Sequence, residues 1–539
     1  MRIALAQINS RLADFSYNRS KILEFVHQAS GRKCDLVIFP EASLFGYPSL
    51  DLLERSALVK EQISELKKLH KELPKGIAAL VGFYEPNSAK RGRPYYNSAA
   101  LVEKGKPIKV FRKELLAVGD VFDEGRFLES GDLKKNTFKY KNKKFLLTIC
   151  EDIWAWGDKN GRSLHKENPL VKLKGERPDF VINMSASPFY LGKESVRKYF
   201  ASETSRYFKC PLIYVNAVGA QDEIIFDGGS FVIDSQGKKK LSCLSFQEDI
   251  NVIDTETLEP WSSVASLSKI EELHRALVLG IKDFCSKTGM THVHLGSSGG
   301  IDSAVVAALA TDALGPSAVT QVAMPGPHSS PVSEKLAENL ARNLGNTFIK
   351  VPIQEMFKTV DQTLKGPFDF STFGLTQENI QARLRGLVLM AYSNKTNSML
   401  LNTSNKSEFA SGYSTLYGDM CGGLSPLGDL TKEQVYELAR YYNQEGEVIP
   451  SQIITRPPSA ELRPDQKDSD SLPPYELLDA AVIHIVERCK AAKSEVETWL
   501  LQAIMKSEFK RWQAAPILKV SSHAFGRGRR YPIAHRARK

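Results

Sequence analysis

Cysteine is scarce in this sequence, and the cysteines that occur are widely scattered. Seven are spread over 539 residues, with no Cys-x-x-Cys pair and no Cys/His grouping at the spacing of a zinc site. This pattern argues against a disulfide-stapled scaffold and against a structural metal. We predict a reduced, cytoplasmic chain.

Long apolar runs are missing as well. The first run, residues 3–6, stops at Gln7, so it is too short for the core of a signal peptide. No later stretch approaches the roughly eighteen apolar residues that a membrane helix needs. We therefore expect neither secretion nor a membrane partner.

The composition that remains is that of an ordinary globular protein, with 42% hydrophobic and 25% charged residues. The length predicts more than one domain. A net charge of +10 fits either a nucleic-acid partner or anionic small substrates, and composition does not separate the two. Late basic residues could form a solvated tail or an ordered, ligand-facing one; they are Lys510, Arg511, Arg527, Arg529, Arg530, Arg536 and Arg538.

Two α/β domains are predicted from the alternation of apolar runs and amphipathic helical patterns. In residues 1–255 the runs are continuous, as expected for strands covered on both faces. Residues 256–268 are polar and turn-rich, and we interpret them as a linker. Residues 269–539 again alternate strand and helix, which predicts a doubly wound parallel sheet that binds ligands at the carboxyl ends of its strands.

A glycine-rich loop in residues 291–310, THVHLGSSGGIDSAVVAALA, joins a short strand to an apolar helix. Glycines let backbone N–H groups approach an anion closely at a helix N-terminus, so the loop predicts a phosphate site. No Lys-Ser/Thr follows the last glycine and the G-x-G-x-x-G spacing is absent, which excludes a Walker A loop and a Rossmann fingerprint. The predicted phosphate-binding residues are Gly296, Ser297, Ser298, Gly299, Gly300, Ile301, Asp302 and Ser303.

Three residues of the first domain lie where chemistry would need them. Glu41 and Cys150 each follow a predicted strand, and Lys113 lies in the segment VFRKELL. A buried cysteine at a strand end is more often a packing residue than a nucleophile. The acidic neighbours of Cys150 would raise its thiol pKa, so a thiolate would need a nearby cation, which Lys113 could supply.

Five segments of the first domain resemble, in order, motifs of the nitrilase-superfamily amidases. They are FPEASLFGYP, FRK, LLTICEDIW, NMSASPFYLGK and GAQDEIIFDGGSFVID. The resemblance implies an αββα sandwich with Glu41 as general base, Lys113 as stabiliser of the oxyanion and Cys150 as nucleophile. It also implies glutamine contacts at Ser187 and Lys193 and a second acidic residue, Glu124. Where the family has Leu-Pro-Asn-Tyr, this chain has Leu116, Ala117, Val118 and Gly119, so the tyrosine contact to glutamine is missing.

The second domain resembles the ATP pyrophosphatase and NAD synthetase families. SGGIDS resembles the ATP loop, and ENIQARLRG, LLNTSNKSEFASGYSTLYGDMCGG, PPSAELRPDQ and SEFKRWQ resemble NAD synthetase motifs. The resemblance implies Asp302 and Glu408 as Mg²⁺ ligands, Thr403 as an ATP contact, and Asn379, Glu408 and Lys510 as contacts to deamido-NAD. Each of the last three also has a plain structural interpretation, as a helix cap or a surface residue.

Taken together, the two halves resemble the glutamine-dependent NAD(+) synthetases. This implies amidation of deamido-NAD with ammonia from glutamine, driven by ATP through an adenylate, in a homo-oligomer. Two alternatives remain: an ATP-dependent RNA-modifying enzyme that uses the basic tail, and a nitrilase-type hydrolase fused to a non-catalytic nucleotide-sensing module. The absence of a cysteine pair for sulfur transfer and of an RNA-binding motif leads us to expect no nucleic-acid partner.

Overall fold

The computed structural model describes residues 1–158, 160–259, 266–368, 373–535 and 537. The chain divides into two compact units, the first formed by Met1–Gln221 and Ile225–Leu267 and the second by Asp222–Ile224 and Ser268–Lys539. Residues 260–265 of the predicted linker, and Arg536 and Arg538 of the basic tail, lie outside the described residues. No helix within the described ranges has the length and hydropathy needed to cross a membrane.

The first unit contains sixteen of the described strands and three of the described α-helices. The strands are β1 (Arg2–Gln7), β2 (Leu36–Ile38), β3 (Ala78–Pro86), β4 (Tyr95–Glu103), β5 (Lys109–Arg112), β6 (Val118–Gly119), β7 (Phe122–Asp123), β8 (Thr137–Tyr140), β9 (Lys143–Ile149), β10 (Phe180–Ser185), β11 (Leu212–Asn216), β12 (Val218–Gln221), β13 (Ile224–Asp227), β14 (Phe231–Ile233), β15 (Lys239–Ser242) and β16 (Asp249–Asp254). The helices are α1 (Phe15–Gly31), α2 (Ser56–Glu72) and α3 (Lys193–Phe208).

Two six-stranded sheets pack face to face in this unit, with strand orders β16-β1-β2-β3-β4-β5 and β15-β14-β11-β10-β9-β8. Ile3 and Ile38 from one sheet and Leu147 and Ile182 from the other share one buried core between the sheets. A second core joins the outer face of the first sheet to α1 and α2, and a third joins the outer face of the second sheet to α3. These layers form the predicted αββα sandwich, and continuous apolar strands result because both faces of each sheet are covered.

The second unit contains four described strands and ten described α-helices. The strands are β17 (Val293–Gly296), β18 (Val319–Ala323), β19 (Thr347–Lys350) and β20 (Met399–Leu400). The helices are α4 (Lys269–Thr288), α5 (Ile301–Leu314), α6 (Pro331–Leu344), α7 (Gln354–Phe368), α8 (Leu375–Thr396), α9 (Lys406–Ser411), α10 (Lys432–Tyr442), α11 (Ser451–Thr455), α12 (Tyr475–Val482) and α13 (Glu495–Arg511).

The sheet of this unit is parallel throughout, with the order β19-β18-β17-β20. Side chains of β18 alternate between two helical layers: Val322 packs in a core with α7 and α8, whereas Gln321 bonds to Asn346 beside α5. The predicted doubly wound sheet is therefore confirmed. The chain reverses its direction of winding between β17 and β20, and ligands bind at such a switch point in this class of sheet.

Most predicted strands are present within a few residues, but the structure differs from the sequence-based expectation in three places. No strand was predicted over β4, whose apolar pattern is interrupted by polar Asn97 and Ser98. Residues 450–474 are rich in Pro, Asp and Ser, which predicts a mobile surface loop or a lid over a nucleotide, but they begin with the short helix α11, in which Ile453 is buried. The alternation of His292 and His294 along one strand predicts two packed core histidines, but only His294 is buried and bonded to the Leu389 carbonyl, because His292 precedes β17 and is exposed.

Candidate active sites

The first site lies where three strands of the first unit end. Glu41 follows β2, Lys113 follows β5, and Cys150 follows β9 and opens a 3₁₀ turn. The Lys113 ammonium donates to Glu41 Oε1 at 2.8 Å, and neither side chain is exposed to solvent. Cys150 is also buried, and both Glu41 and Lys113 act electrostatically on the pKa of its thiol. The structure thus brings the three predicted residues together, although Glu41 and Cys150 are 109 positions apart in the sequence.

A second carboxylate and an amide complete this buried cluster. Lys113 also contacts Glu124 at 2.9 Å, and the Asn97 amide donates to Glu41 at 2.8 Å and to Glu124 at 3.3 Å. The backbone N–H of Ala186 donates to the other oxygen of Glu41 at 2.9 Å. Glu41 therefore has a fixed orientation, held by three donors that approach from three different strands or strand ends.

Cys150 is held as a neutral thiol at rest. Burial, and next the charge of Glu41, raise the pKa of Cys150 well above its ordinary value, and the opposing effect of Lys113 is smaller than these. The thiolate suggested by a nearby lysine is therefore not the resting form, because two carboxylates balance that lysine. Cys150 has φ +43°, a left-handed conformation that a non-glycine residue adopts only where the surroundings impose it.

Asp152 links the turn at Cys150 to the segment after Lys113 through hydrogen bonds. Its carboxylate accepts the backbone N–H groups of Glu114 at 3.0 Å, Leu115 at 2.9 Å and Ile149 at 2.8 Å. Burial raises the pKa of Asp152 to about 7, which these three hydrogen bonds oppose. The residues just after Lys113 and just before Cys150 thus share one buried acceptor.

The predicted glutamine contacts lie on the segment after β10 and at the start of α3. Ser187 is buried, with its backbone N–H donated to Asn216 Oδ1 at 2.9 Å. The Lys193 ammonium lies 4.1 Å from the centre of the Trp154 ring, on the turn that follows Cys150. Both positions therefore border the cysteine turn or the backbone that contacts Glu41.

The departure at Gly119 has a backbone explanation. β6 and β7 form a tight hairpin in which Gly119 pairs with Phe122. Gly119 has φ +90°, where a side chain would be strained. The hairpin lies directly before Glu124, so the position at which the tyrosine is missing has a backbone conformation that favours glycine, next to the site.

The second site begins at the carboxyl end of β17. Gly299 has φ +75°, and a Cβ atom there would lie 2.2 Å from the carbonyl oxygen of Ser333 at the start of α6. The Ser298 hydroxyl accepts the Gly300 N–H at 3.2 Å, and the Ser303 hydroxyl donates to the Gly300 carbonyl at 3.0 Å. The loop is therefore held by its own serines and fits against α6 only because Gly299 has no side chain.

A cavity of about 290 Å³ opens beside this loop. Arg385 from α8, Asp419 and the segment 456–462 form other parts of its wall. The Ser333 hydroxyl and the Arg456 guanidinium hold Glu461 of this segment at 2.5 and 2.9 Å. The sequence-predicted residues that line the cavity are Gly296, Ser297, Ser298, Gly299, Gly300, Ile301 and Thr403.

Asp302 and Glu408 face each other beside the loop. The Asn405 amide donates to Asp302 at 2.9 Å and to Glu408 at 2.8 Å, and the Lys432 ammonium lies 2.5 Å from Asp302 and 3.7 Å from Glu408. Burial and the charge of Asp302 raise the pKa of Glu408 to about 8, which Lys432 opposes. Glu408 also accepts the Asn405 N–H at 3.3 Å as the cap of α9, so its structural and functional interpretations are both compatible with the geometry.

The other two predicted dinucleotide contacts flank the segment that follows α9. Asn379 on α8 accepts the Thr415 hydroxyl at 2.7 Å. The Lys510 ammonium on α13 donates to the carbonyls of Gly412 at 2.9 Å and Ser414 at 2.6 Å. Both residues therefore hold residues 412–415, and the Thr415 backbone N–H donates to the Asp419 carboxylate of the cavity wall at 2.7 Å.

Two protein-family models match the two halves of the chain. The family described as carbon-nitrogen hydrolase matches residues 2–262, and the family described as NAD synthase matches residues 273–514. The glutamine-dependent NAD(+) synthetase of Synechocystis sp. is 44% identical, over 99% of this chain and 98% of that protein. The chain belongs to the glutamine-dependent NAD(+) synthetase family. The family predicted from the sequence motifs is thereby confirmed.

Solved structures of glutamine-dependent NAD(+) synthetases agree with this assignment. The Acinetobacter baumannii protein, described in complex with ADP, is 37% identical with a TM-score of 0.77, covering 99% of this chain and 98% of that one. The Cytophaga hutchinsonii protein is 20% identical with a TM-score of 0.82, covering 99% and 97%, and supports the fold.

Several residues of this NAD(+) synthetase family member were missed at the sequence level although they touch the predicted ones. Asn97, Asp152, Asn405 and Lys432 are among them, together with Arg385 in the cavity wall. Asn405 lies within the recognised segment LLNTSNKSEFASGYSTLYGDMCGG, and Lys432 follows Thr431 at the start of α10, so a polar residue at a helix start was the available signal. Asn97 had no such signal, because its strand was not predicted.

Proposed function

We propose that this chain makes NAD by amidating deamido-NAD with ammonia released from glutamine, at the expense of ATP. Membership of the family makes it an enzyme of glutamine-dependent NAD biosynthesis, and the reaction steps below are inferred from its own residues. The observation that supports them most directly is the buried cluster in which Lys113 contacts Glu41 at 2.8 Å and Glu124 at 2.9 Å beside Cys150.

At the first site, Cys150 attacks the side-chain carbonyl carbon of glutamine. Because its thiol is neutral at rest, Glu41 removes the proton as the carbon–sulfur bond forms and gives it to the departing ammonia. Lys113 stabilises the negative charge that develops on the carbonyl oxygen, together with the backbone N–H of Glu151. Water, deprotonated by Glu41, then cleaves the thioester and releases glutamate.

At the second site, the glycine loop and Thr403 would bind ATP, and Asn379, Glu408 and Lys510 the dinucleotide. The substrate carboxylate attacks the α-phosphate, pyrophosphate leaves, and ammonia then displaces AMP from the adenylate to form the amide. The Acinetobacter baumannii relative is described in complex with ADP, which supports the binding of an adenine nucleotide by this chain. Ammonia must arrive unprotonated, because ammonium has no lone pair with which to attack.

The residues beside the loop fit Mg²⁺. Asp302 and Glu408 offer the hard oxygen donors that Mg²⁺ prefers, and both carboxylates contact the same Asn405 amide and the same Lys432 ammonium. Within the described part of the chain no group of three or more His, Cys, Asp or Glu side chains could hold a metal, so substrate phosphates and water would have to supply the remaining ligands of a Mg²⁺ ion. Mg²⁺ held by Asp302 and Glu408 would neutralise charge on the leaving pyrophosphate.

The decisive experiment supplies purified protein with glutamine, ATP and deamido-NAD and measures glutamate, AMP, pyrophosphate and NAD. We expect one AMP and one pyrophosphate for each NAD. Cys150→Ala should abolish synthesis from glutamine and leave synthesis from added ammonium within about twofold of wild type, because it removes the nucleophile of the first reaction alone.

Cys210→Ala is the matched control, since Cys210 is a buried cysteine of the same unit outside the cluster, and it should retain both activities. Absence of AMP formation with all three substrates would contradict the proposal and favour a hydrolase with a nucleotide-sensing module. Loss of the ammonium-dependent activity in folded Cys150→Ala would contradict the separation into two sites.

A further inference from the structure

We propose that Arg197 is a positioning residue for the amide substrate of the first site: it fixes the backbone of Ser187 and orients the Ser187 hydroxyl as a donor to glutamine. This inference rests on the proposed glutaminase reaction and deepens it. Arg197 lies on α3 and is one of the largest fully buried side chains of the described residues.

The guanidinium of Arg197 makes several hydrogen bonds to Ser187 and its neighbours. Its Nε donates to Ser187 Oγ at 3.1 Å, and Nη2 donates to the carbonyl oxygens of Ser187 at 2.7 Å and Pro188 at 3.1 Å. Nη1 donates to Asp227 Oδ2 at 2.7 Å. One planar group therefore contacts the hydroxyl and the carbonyl of the same serine, which a lysine ammonium could not do with the same geometry.

The remaining backbone group of Ser187 is fixed by Asn216. Its N–H donates to Asn216 Oδ1 at 2.9 Å, while Asn216 Nδ2 contacts the Ser187 carbonyl at 3.4 Å and Asp227 at 3.5 Å. Asp227 thus joins Arg197 and Asn216 into one buried support. Such networks rigidify a site when their members are satisfied.

The direction of the Arg197–Ser187 hydrogen bond determines what Ser187 can do. A serine hydroxyl has one hydrogen to donate, and Arg197 Nε can only donate, so Ser187 Oγ accepts at 3.1 Å and its hydrogen is left for another acceptor, either the neighbouring Tyr214 hydroxyl or an oxygen of the substrate. The neighbouring Ala186 N–H contacts Glu41 at 2.9 Å, so this segment borders the reacting groups. An acceptor on glutamine, a carbonyl or carboxylate oxygen, fits that hydrogen.

The test is a double-mutant cycle on glutamine hydrolysis by the full-length protein, with Arg197→Lys, Ser187→Ala and the double variant. Arg197→Lys keeps the positive charge and removes the planar contacts. We expect it to raise KM for glutamine about five- to tenfold with kcat within about twofold, as expected when a binding contact shared by ground and transition states is lost. In the Ser187→Ala background the same substitution should change KM by less than about twofold.

Arg206→Lys is the matched control, because Arg206 lies on the same helix but is exposed and pairs with Glu203. It should leave KM and kcat unchanged. The rate of Cys150 alkylation by iodoacetamide should be the same in wild type and Arg197→Lys, which shows an intact cysteine turn. If Arg197→Lys does not fold, Asp227→Asn takes its place in the cycle with the same expected results.

The inference is overturned if the substitution changes KM by the same factor with and without the Ser187 hydroxyl, since Arg197 would then act independently of it. A fall in kcat at unchanged KM would also overturn it and indicate action through Glu41. Failure of the proposed function is distinguishable, because the wild-type protein would then release no glutamate from glutamine at all.

Discussion

The buried charges of the first site determine how its cysteine can react. Glu41, Glu124 and Lys113 together carry an excess of one negative charge when ionised, and a Cys150 thiolate would add another. Burial raises the pKa of the Cys150 thiol because it disfavours the charged form. The negative charge of Glu41 raises this pKa further, because like charges oppose ionisation. The proton must therefore leave during attack, and Glu41 is the group that can accept it.

This balance predicts opposite effects of one substitution on thiol ionisation and on turnover. Glu41→Gln removes a negative charge beside Cys150, so the pKa of the thiol should fall and the pH profile of alkylation by iodoacetamide should shift to lower pH. Glutamine hydrolysis should nevertheless fall by about 10²-fold or more, because the general base is lost. Alkylation rates from pH 6 to about 10 and glutamate release measure the two effects.

Lys113→Met gives the converse control. Lys113 lowers the pKa of Cys150, so its removal should shift the alkylation profile to higher pH. An unchanged or upward-shifted profile in Glu41→Gln would show that Glu41 does not control the thiol, and the assignment of the general base would be wrong.

At the scale of elements, the glycine loop depends on its fit against α6. Gly299→Ala places a methyl group where the Ser333 carbonyl oxygen lies at 2.2 Å, in addition to the cost of φ +75° for a residue with a side chain. We expect the loop to shift and KM for ATP to rise by about tenfold or more, while glutamine hydrolysis stays unchanged. Initial rates of AMP formation against ATP concentration measure the effect.

Gly289→Ala separates backbone strain from the close approach. Gly289 caps α4 in the same unit with φ +76°, and none of the described residues would lie within 4 Å of a Cβ atom there. Its substitution should lower the free energy of unfolding by about 1 kcal/mol and leave KM for ATP unchanged. Equal KM values in both variants would argue against a phosphate-binding role for the loop.

The elements that could be predicted from sequence are those with a local signal. The strand before Glu41 and the strand before Cys150 were found from continuous apolar runs. Thr431 followed three residues later by Gln434 is the sequence signature of a capping box, and the structure has this box at the start of α10. The strand containing Asn97 was missed because polar side chains that bond inside the site interrupt its pattern. The polar residue Asn97, which bonds to Glu41 in the site, thus made its own strand, β4, hard to predict from the sequence.

The partners of the predicted residues had no local signal. Asn97 lies 56 positions from Glu41, and Lys432 lies 130 positions from Asp302. Such pairs depend on the order in which strands assemble in a sheet, and a single sequence does not contain that order. Motifs therefore predicted Glu41, Lys113, Cys150 and Asp302, whereas their buried partners Asn97 and Lys432 required the structure.

At the scale of the whole molecule, the two sites lie in separate compact units with separate hydrophobic cores. Each proposed half-reaction has its own nucleophile and its own leaving group, so a substitution in one unit should leave the chemistry of the other intact. The excess of positive charge over the chain agrees with substrates that carry phosphates and carboxylates, and it requires no nucleic acid.

Asp302→Ala tests this separation from the side of the second unit. Asp302 lies in the first turn of α5 beside Glu408 and Lys432, and its loss removes a proposed Mg²⁺ ligand. Synthesis from glutamine and synthesis from ammonium should both fall by about 10³-fold, because pyrophosphate would leave without its neutralising cation. Glutamine hydrolysis and Cys150 alkylation should persist. Asp302→Asn, which keeps the size of the side chain beside buried Lys432, should give the same result without loss of folding.

Asp312→Asn is the matched control, because Asp312 lies near the other end of α5, is 42% exposed and pairs with His274. It should retain every activity. A folded Asp302→Ala protein that still forms NAD from ammonium would remove Asp302 from the reaction, and with it the placement of pyrophosphate at the glycine loop. Because glutamate release is measured in the same samples, a general loss of active protein would appear there and would not be mistaken for loss of the second reaction alone.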